Sequence, residues 1–152
     1  MSLDFEKYAV KGNEFVRLVA EELEIPLDKA GRIIRAVFHA LRNRLSHEKS
    51  FQLLAQLPVS LKGVYVDGWR FGKDFNPICH VNDFLDEVRQ EDGGLVGYDF
   101  DNNLKARVAV ACIFKALNYL VSEEEMNDIL NVMPSALKQF IKESIEGRGT
   151  VL

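Results

Sequence analysis

The side chains that could carry out chemistry are few and widely separated in this chain of 152 residues. Its three histidines and two cysteines form no His-x-x-x-His or Cys-x-x-Cys pair, the spacings at which helices and turns present metal ligands. They are His39, His47, His80, Cys79 and Cys112. We therefore expect no metal site and no cofactor. Cys112 lies in an apolar segment, which predicts a small core residue.

Catalytic motifs are also missing from the sequence. There is no Gly-x-Ser-x-Gly, and Gly93-Gly94-x-x-Gly97 follows a predicted helix, whereas a dinucleotide-binding turn follows a strand. Asp99 and Asp101 lack the twelve-position pattern of a calcium loop, so this stretch reads as an acidic loop. The sequence favours a non-enzymatic protein, although catalytic residues from distant segments would leave no motif.

A cluster of basic side chains lies on one face of a predicted helix. Arg32, Arg35, His39 and Arg42 fall with Asp28 within an arc of roughly 90° at the helical period. One interpretation is a docking surface for an anion or an acidic partner. The other is a solvated face paired with nearby acids, in which His39 is an exposed neighbour of the arginines. The face has no aromatic residues for base stacking, which disfavours nucleic acid.

An aromatic cluster is the second candidate site. Tyr65, Trp69, Arg70 and Phe71 lie close together, with Phe75 nearby, in a stretch that lacks helical periodicity. Clefts form at the junctions of structural units, so these residues could line a groove for a small molecule. Alternatively, the rings pack against the core, with the indole N–H bonded to a backbone carbonyl.

The elements that must position these residues are helices. Apolar residues recur at steps of three and four almost throughout, and strict alternation is scarce. The first four helices are predicted to begin near residues that favour helix N-termini. These are Asn13, Pro26, Ser46 and Pro58, and Gly68 is a plausible end for the fourth helix.

The second half of the chain is predicted to contain four helices in the same order. Its helix starts are Asn82, Asp101 or Asn102, Ser122 with a capping box to Glu125, and Pro134. The long helix that ends near Val121 carries few polar residues, so we expect it to be covered on most sides, with Phe114 buried at its centre.

The similarity between the halves extends to their residues. Asn13-Glu14-Phe15 matches Asn82-Asp83-Phe84, and Leu57-Pro58 matches Met133-Pro134. We predict an all-α domain over residues 1–152, built from two similar helical half-domains of about four helices each around a shared core. The first unit spans about 10–67, a connector spans 67–78, and the second unit spans about 79–146. Extra residues of the second unit fall between Gln90 and Lys105.

The net charge and the hydrophobic fraction are those of an ordinary soluble protein. The net charge is −4 and hydrophobic residues make up 47% of the chain, with no apolar run long enough to cross a bilayer. The cysteines show no disulfide framework, which is typical of a reducing compartment. We therefore expect a cytoplasmic protein that does not bind membranes.

The stretch from Gln56 to Trp69 resembles a known family. Gln56-Leu57-Pro58, Leu61, Lys62-Gly63, Tyr65 and Gly68-Trp69 are similar to the signature of the bacterial domain of unknown function 2267 family. The resemblance covers roughly residues 10–145, with Ser122-Glu123-Glu124-Glu125 as a departure that affects helix capping. It implies an all-helical fold, no established activity and no functional residue.

Three functions remain open. The leading one is a non-enzymatic helical interaction module of a bacterial cytoplasmic protein, which binds a protein partner or a second copy of itself. The alternatives are a small-ligand binder at Tyr65 and Trp69, and an anion or nucleic-acid binder through the Arg32, Arg35 and Arg42 face, with nucleic acid the less favoured of these partners.

Overall fold

The computed structural model describes residues 3–70, 77, 80–93, 99–100 and 102–147. These residues form eight α-helices and contain no β-strand, so the all-α prediction is confirmed. The helices are α1 (Phe5–Leu23), α2 (Leu27–Arg44), α3 (His47–Gln56), α4 (Val59–Val66), α5 (Val81–Glu91), α6 (Asn103–Leu120), α7 (Glu123–Asn131) and α8 (Ser135–Ile145).

Polar caps explain where several helices begin. The Ser46 hydroxyl accepts a hydrogen bond from the Lys49 N–H at 3.2 Å, and Asn102 does the same for α6. Ser122 and Glu125 form the expected capping box at α7, with bonds of 3.0 and 2.8 Å. These bonds satisfy backbone donors that have no partner within the first helical turn.

Two predicted helix starts are wrong. Asn13 lies in the middle of α1, which begins at Phe5 and is capped by the Asp4 carboxylate. The first turns of α1 were not predicted because their apolar side chains, Phe5 and Val10, are exposed and do not belong to a buried stripe of the helix. Asn82 is likewise inside α5, which begins at Val81 after the cap residue His80.

The core is a single cluster around α6. This helix packs against α1, α5 and α8, while α2 packs against α1, α4 and α5, and α3 contacts α7. Phe114 is 1% exposed, which confirms the prediction that α6 is covered on most sides. Phe15 and Phe38 stack with ring centroids 6.2 Å apart, joining α1 to α2. Within the described residues, no helix is both long and apolar enough to cross a membrane.

Candidate functional site

The basic face of α2 binds the carboxyl-terminal end of α4. Arg42 Nη1 donates to the Tyr65 carbonyl at 2.9 Å and to the Asp67 carbonyl at 2.6 Å. His39 Nε2 lies 2.9 Å from the Val64 carbonyl, a distance at which the ring N–H donates. The last carbonyls of a helix lack partners within the helix and carry partial negative charge. Two α2 side chains therefore cap α4 from the side.

His39 is buried, which corrects the expectation of a solvated residue. It is 8% exposed, because α4 and α5 pack over the face that the sequence suggested was open. Burial lowers the pKa of His39, more than its bond to the Val64 carbonyl raises it. Its ring Nδ1 also lies 3.9 Å from Glu91 Oε1. The neutral imidazole thus serves as a structural donor in this packing.

Salt bridges bind the rest of this face to other parts of the chain. Arg35 Nη1 donates to Asp67 Oδ2 at 2.7 Å, although both side chains are more than half exposed. Arg44 pairs with Glu87 of α5 at 3.0 Å, with both side chains 16% exposed. Three of the sequence-predicted docking residues, Arg35, His39 and Arg42, therefore meet at the end of α4 and bind groups of this chain. The fourth, Arg32, pairs with Asp99.

The aromatic cluster is brought together in part. Tyr65 is fully buried, and its phenol lies 2.7 Å from the Ser50 hydroxyl. Burial raises the pKa of Tyr65 above its usual range, so the phenol stays protonated. Trp69 packs edge-on against Tyr65 at a centroid distance of 5.8 Å. Arg70 is exposed, and Phe71 lies outside the described residues.

Further ring contacts cover Trp69. His47 and Phe51 of α3 meet its indole at centroid distances of 5.6 and 6.2 Å. Trp69 is partly buried and packs against the core. These contacts favour the packing interpretation of the aromatic cluster over a groove.

The family-like stretch has a structural explanation. Pro58 precedes α4, Leu61 and Tyr65 are its buried residues, and Gly68 turns the chain after it with φ of 73°. A left-handed backbone conformation at that point favours glycine. The family-like pattern thus forms α4 and the turn that follows it.

A cavity of about 350 Å³ lies in another part of the molecule, and the sequence analysis did not predict it. It is bounded by the end of α1, the start of α2 and the first half of α6. Its volume is at the small end of the range for ligand pockets. The lining side chains are mostly apolar, and they are Leu23, Ile25, Ile33, Phe100, Leu104, Val108 and Ala109, with Lys29, Lys105 and Asp99 as the charged members.

Asp99 is the buried charged group of the cavity. Asp99 is 5% exposed and binds Arg32 through two hydrogen bonds, Nε to Oδ2 and Nη2 to Oδ1, each 3.1 Å long. Such a bidentate pair satisfies both carboxylate oxygens. Arg32 also reaches Asp28 at 3.5 Å. Lys29 also lies close enough to Asp92 and Asp99 to favour the charged form of both acids.

A second carboxyl group adjoins Asp99. Among the described residues no donor reaches the buried Oδ2 of Asp92, and its carboxyl is within hydrogen-bonding reach of Asp99. Burial, together with this bond and the negative charge of Asp99, raises the pKa of Asp92 to about 6. Burial also disfavours the Asp99 carboxylate, but the bonds from Arg32 and Asp92 outweigh it and lower the pKa of Asp99. The raised pKa of Asp92 and the lowered pKa of Asp99 place the proton of this pair on Asp92 at mildly acidic pH.

Cys112 is a further reactive side chain among the described residues. Cys112 is buried, and burial raises the pKa of its thiol to about 12, as suits the predicted core residue. The part of the chain described here contains no group of three or more His, Cys, Asp or Glu side chains placed to hold a metal ion.

One signal in the sequence could have led to the cavity. Lys29 and Lys105 are 76 residues apart, the same offset that relates Pro58 to Pro134, so they occupy equivalent positions in the two halves. Asp99 carries no such signal because it lies among the extra residues of the second half.

The fold and this site define the chain as a protein whose described residues are all-helical and line a cavity with apolar and charged side chains. The family model described as "Uncharacterized conserved protein (DUF2267)" matches residues 12–140. The chain belongs to this family. A comparison with curated proteins found no match.

Proposed function

We propose that this chain is a non-enzymatic helical interaction module of a bacterial cytoplasmic protein, and that it binds a small, largely apolar molecule in the cavity between α1, α2 and α6. The observation that carries the proposal is the cavity itself, a space of about 350 Å³ lined by residues of α1, α2 and α6 together with Ile25, Asp99 and Phe100. Apolar walls with a few charged groups at the edge are typical of small-molecule sites.

The positions of the other polar residues support this choice. His39 and Arg42 cap α4, and Tyr65 bonds Ser50 in the core, so these side chains are engaged by groups of the chain itself. We therefore propose the cavity, and not the aromatic cluster, as the small-ligand site.

Saturation binding of 1-octanol tests this function. Val108 lines the cavity and is partly buried, so Val108→Phe should fill the space with little strain and abolish saturable binding. Val59→Phe is the matched control, because Val59 is 51% exposed on α4. Binding would be followed by amide chemical shifts, with thermal unfolding to show that both variants fold. Equal binding by both variants, or shifts that never saturate, would argue against the site.

We also infer that the chain is a duplicated unit, with halves at about 10–67 and 79–146. Ser46 and Ser122 cap α3 and α7, while Pro58 and Pro134 precede α4 and α8. The packing supports this inference, since α2 contacts α5 as α1 contacts α6, and α2 contacts α4 as α6 contacts α8. Superposition of α1–α4 on α5–α8 in an experimental structure tests it. Different helix arrangements in the two halves would contradict it.

Self-association or binding of a protein partner is the second candidate function. Three apolar side chains of α1 and of the start of α2 are exposed, Phe5 by 73%, Val10 by 66% and Leu27 by 60%, and Val10 and Leu27 border the same surface depression. Clusters of exposed apolar residues mark interaction sites. Light scattering after size exclusion over a hundredfold concentration range tests self-association. A dimer should dissociate in Val10→Lys, whereas a constant monomer mass in the parent chain would dismiss self-association.

A further inference from the structure

We propose that the outer surface between α1 and the start of α2 binds an amphipathic helical segment of a partner protein, with Lys or Arg residues beside its apolar face. This inference rests on the second candidate function, because it assumes that this surface is an interaction site and adds the chemistry of the partner. The shape and apolar lining of the surface favour a helix, and its charges favour a basic one.

The α1–α2 groove consists of two adjoining surface depressions. Their volumes are about 540 and 480 Å³, and they share Arg17 and Leu27. The apolar residues that line them are Val10, Val16, Ala20, Ile25, Pro26 and Leu27. From Val10 to Leu23 the helix α1 rises by about 20 Å. The groove is therefore long enough for a bound helix of about four turns.

Two exposed side chains supply the apolar contact. Val10 is 66% exposed and Leu27 is 60% exposed, and they border the same depression from different helices. A helix that lies in such a groove places its apolar residues at positions i, i+3, i+4 and i+7 against the groove. Covering Val10 and Leu27 would remove apolar surface from water, which is the main favourable term in most protein associations.

The charged residues of the groove favour a basic partner. Arg17 and Glu21 form a salt bridge with each other at 3.3 Å. Glu14 and Glu24 have no salt bridge and no side-chain hydrogen bond within the described part of the chain. The rest of the helix does not offset these carboxylates, because α1 and its two cap residues contain six acidic and three basic side chains. A cationic segment therefore matches the charge of the groove.

The same charges disfavour other occupants of the groove. A second copy of the chain would bring a second acidic edge against the first, and like charges that face each other across an interface weaken it. Nucleic acid and an anionic lipid surface would likewise place phosphates near Glu14 and Glu24. A basic segment with an apolar face avoids both of these repulsions.

The backbone at Glu24 is consistent with a role for its carboxylate. This residue follows α1 and has φ of 55°, in the left-handed region that favours glycine. It is the one residue other than glycine with a positive φ in the described ranges. A side chain that is kept at a strained position on the edge of a groove points to a use for that side chain.

Fluorescence anisotropy of three labelled peptides tests the chemistry of the partner. The first peptide is a helix former of about 18 residues, with Leu at i, i+3, i+4 and i+7 in successive turns and Lys beside them. The second peptide has Glu in place of Lys, and the third has Ser in place of Leu. The full chain should bind the first peptide at least about tenfold more tightly than either of the others. Raising NaCl from 20 to 500 mM should weaken this binding, because salt screens exposed charges.

Variants of the groove test where the peptide binds. Val10→Ser and Leu27→Ser should each weaken binding of the first peptide about tenfold, because each removes an apolar contact. Glu14→Gln and Glu24→Gln should each weaken it about threefold, as expected for ion pairs near solvent. None of the four side chains is buried, so each variant should fold, and thermal unfolding checks this.

Two substitutions outside the groove are the matched controls. Tyr119→Ser removes a side chain that is 74% exposed at the end of α6, and Glu124→Gln removes an exposed acid from α7. Both variants should bind the first peptide as the parent chain does.

The possible failures are distinguishable. Equal binding of the Lys and Glu peptides would overturn the basic partner. Equal binding by the parent chain and all four groove variants would overturn the location, while an interaction function would stand. If none of the peptides binds, this inference fails. A dimer in light scattering would then keep self-association as the second candidate function, and the 1-octanol titration decides the cavity independently.

Discussion

The contact between Asp92 and Asp99 makes a specific prediction about stability and pH. Asp92 follows α5, and its carboxyl meets the Asp99 carboxylate, which Arg32 holds in place. Replacing Asp92 with Asn keeps the size of the side chain and supplies an N–H that can donate to Asp99 at every pH. We therefore expect Asp92→Asn to stabilise the protein at alkaline pH, where the two natural carboxylates repel each other.

The magnitude follows from the pKa of Asp92. The fold raises it from 3.8 to about 6, and each unit corresponds to about 1.4 kcal/mol. The folded chain binds the proton more tightly than the unfolded chain, so stability falls as pH rises through the window from about 4 to 6. The full shift corresponds to about 3 kcal/mol, and solvent screening at this partly buried group lowers the expected effect to about 1–3 kcal/mol.

Urea unfolding at pH 4 and pH 8 is the assay. Asp92→Asn should be more stable than the parent chain by about 1–3 kcal/mol at pH 8, and the difference should nearly vanish at pH 4. Asp128→Asn is the control, because Asp128 is exposed on α7 and should change stability little at either pH. A destabilising effect of Asp92→Asn at pH 8, or the same difference at both pH values, would refute the shared proton.

Three further predictions concern the core and α4. Phe114→Ala should cost about 3–5 kcal/mol by urea unfolding, because the ring is 1% exposed at the centre of the fold; a cost below 1 kcal/mol would mean that the ring is not part of the core. Tyr65→Phe should cost about 1–3 kcal/mol by leaving the buried Ser50 hydroxyl without its partner. In a double-mutant cycle, adding Ser50→Ala to Tyr65→Phe should cost little more, whereas additive costs would show that the two hydroxyls do not interact. Gly68→Ala should lower stability by about 1–2 kcal/mol in thermal unfolding, because a φ of 73° strains a residue that has a Cβ. A steric clash adds nothing to this cost, since the nearest atom to the added Cβ is Arg42 Nη2 at 3.9 Å. An unchanged melting temperature would contradict the strain.

The local elements could largely be predicted from the sequence. Helical periodicity, the capping box at Ser122 and the starts at Pro26, Ser46 and Pro58 depend on residues close together in the chain, and the structure has each of them. The burial of Phe114 could also be predicted, because its helix carries so few polar residues. The start of α1 at Phe5 could not, because its early turns expose their apolar side chains to solvent and no buried stripe marks them.

The roles of the polar residues were decided by tertiary structure. Arg42 and His39 looked like an open basic face in the sequence, and only the position of α4 shows that their partners are its terminal carbonyls. The cavity depends in the same way on three helix segments and on Asp99, which is 67 residues from its partner Arg32. Periodicity reports which side of a helix is apolar, since that follows from local geometry. It carries no information about which distant group a charge meets, because that depends on how the helices pack.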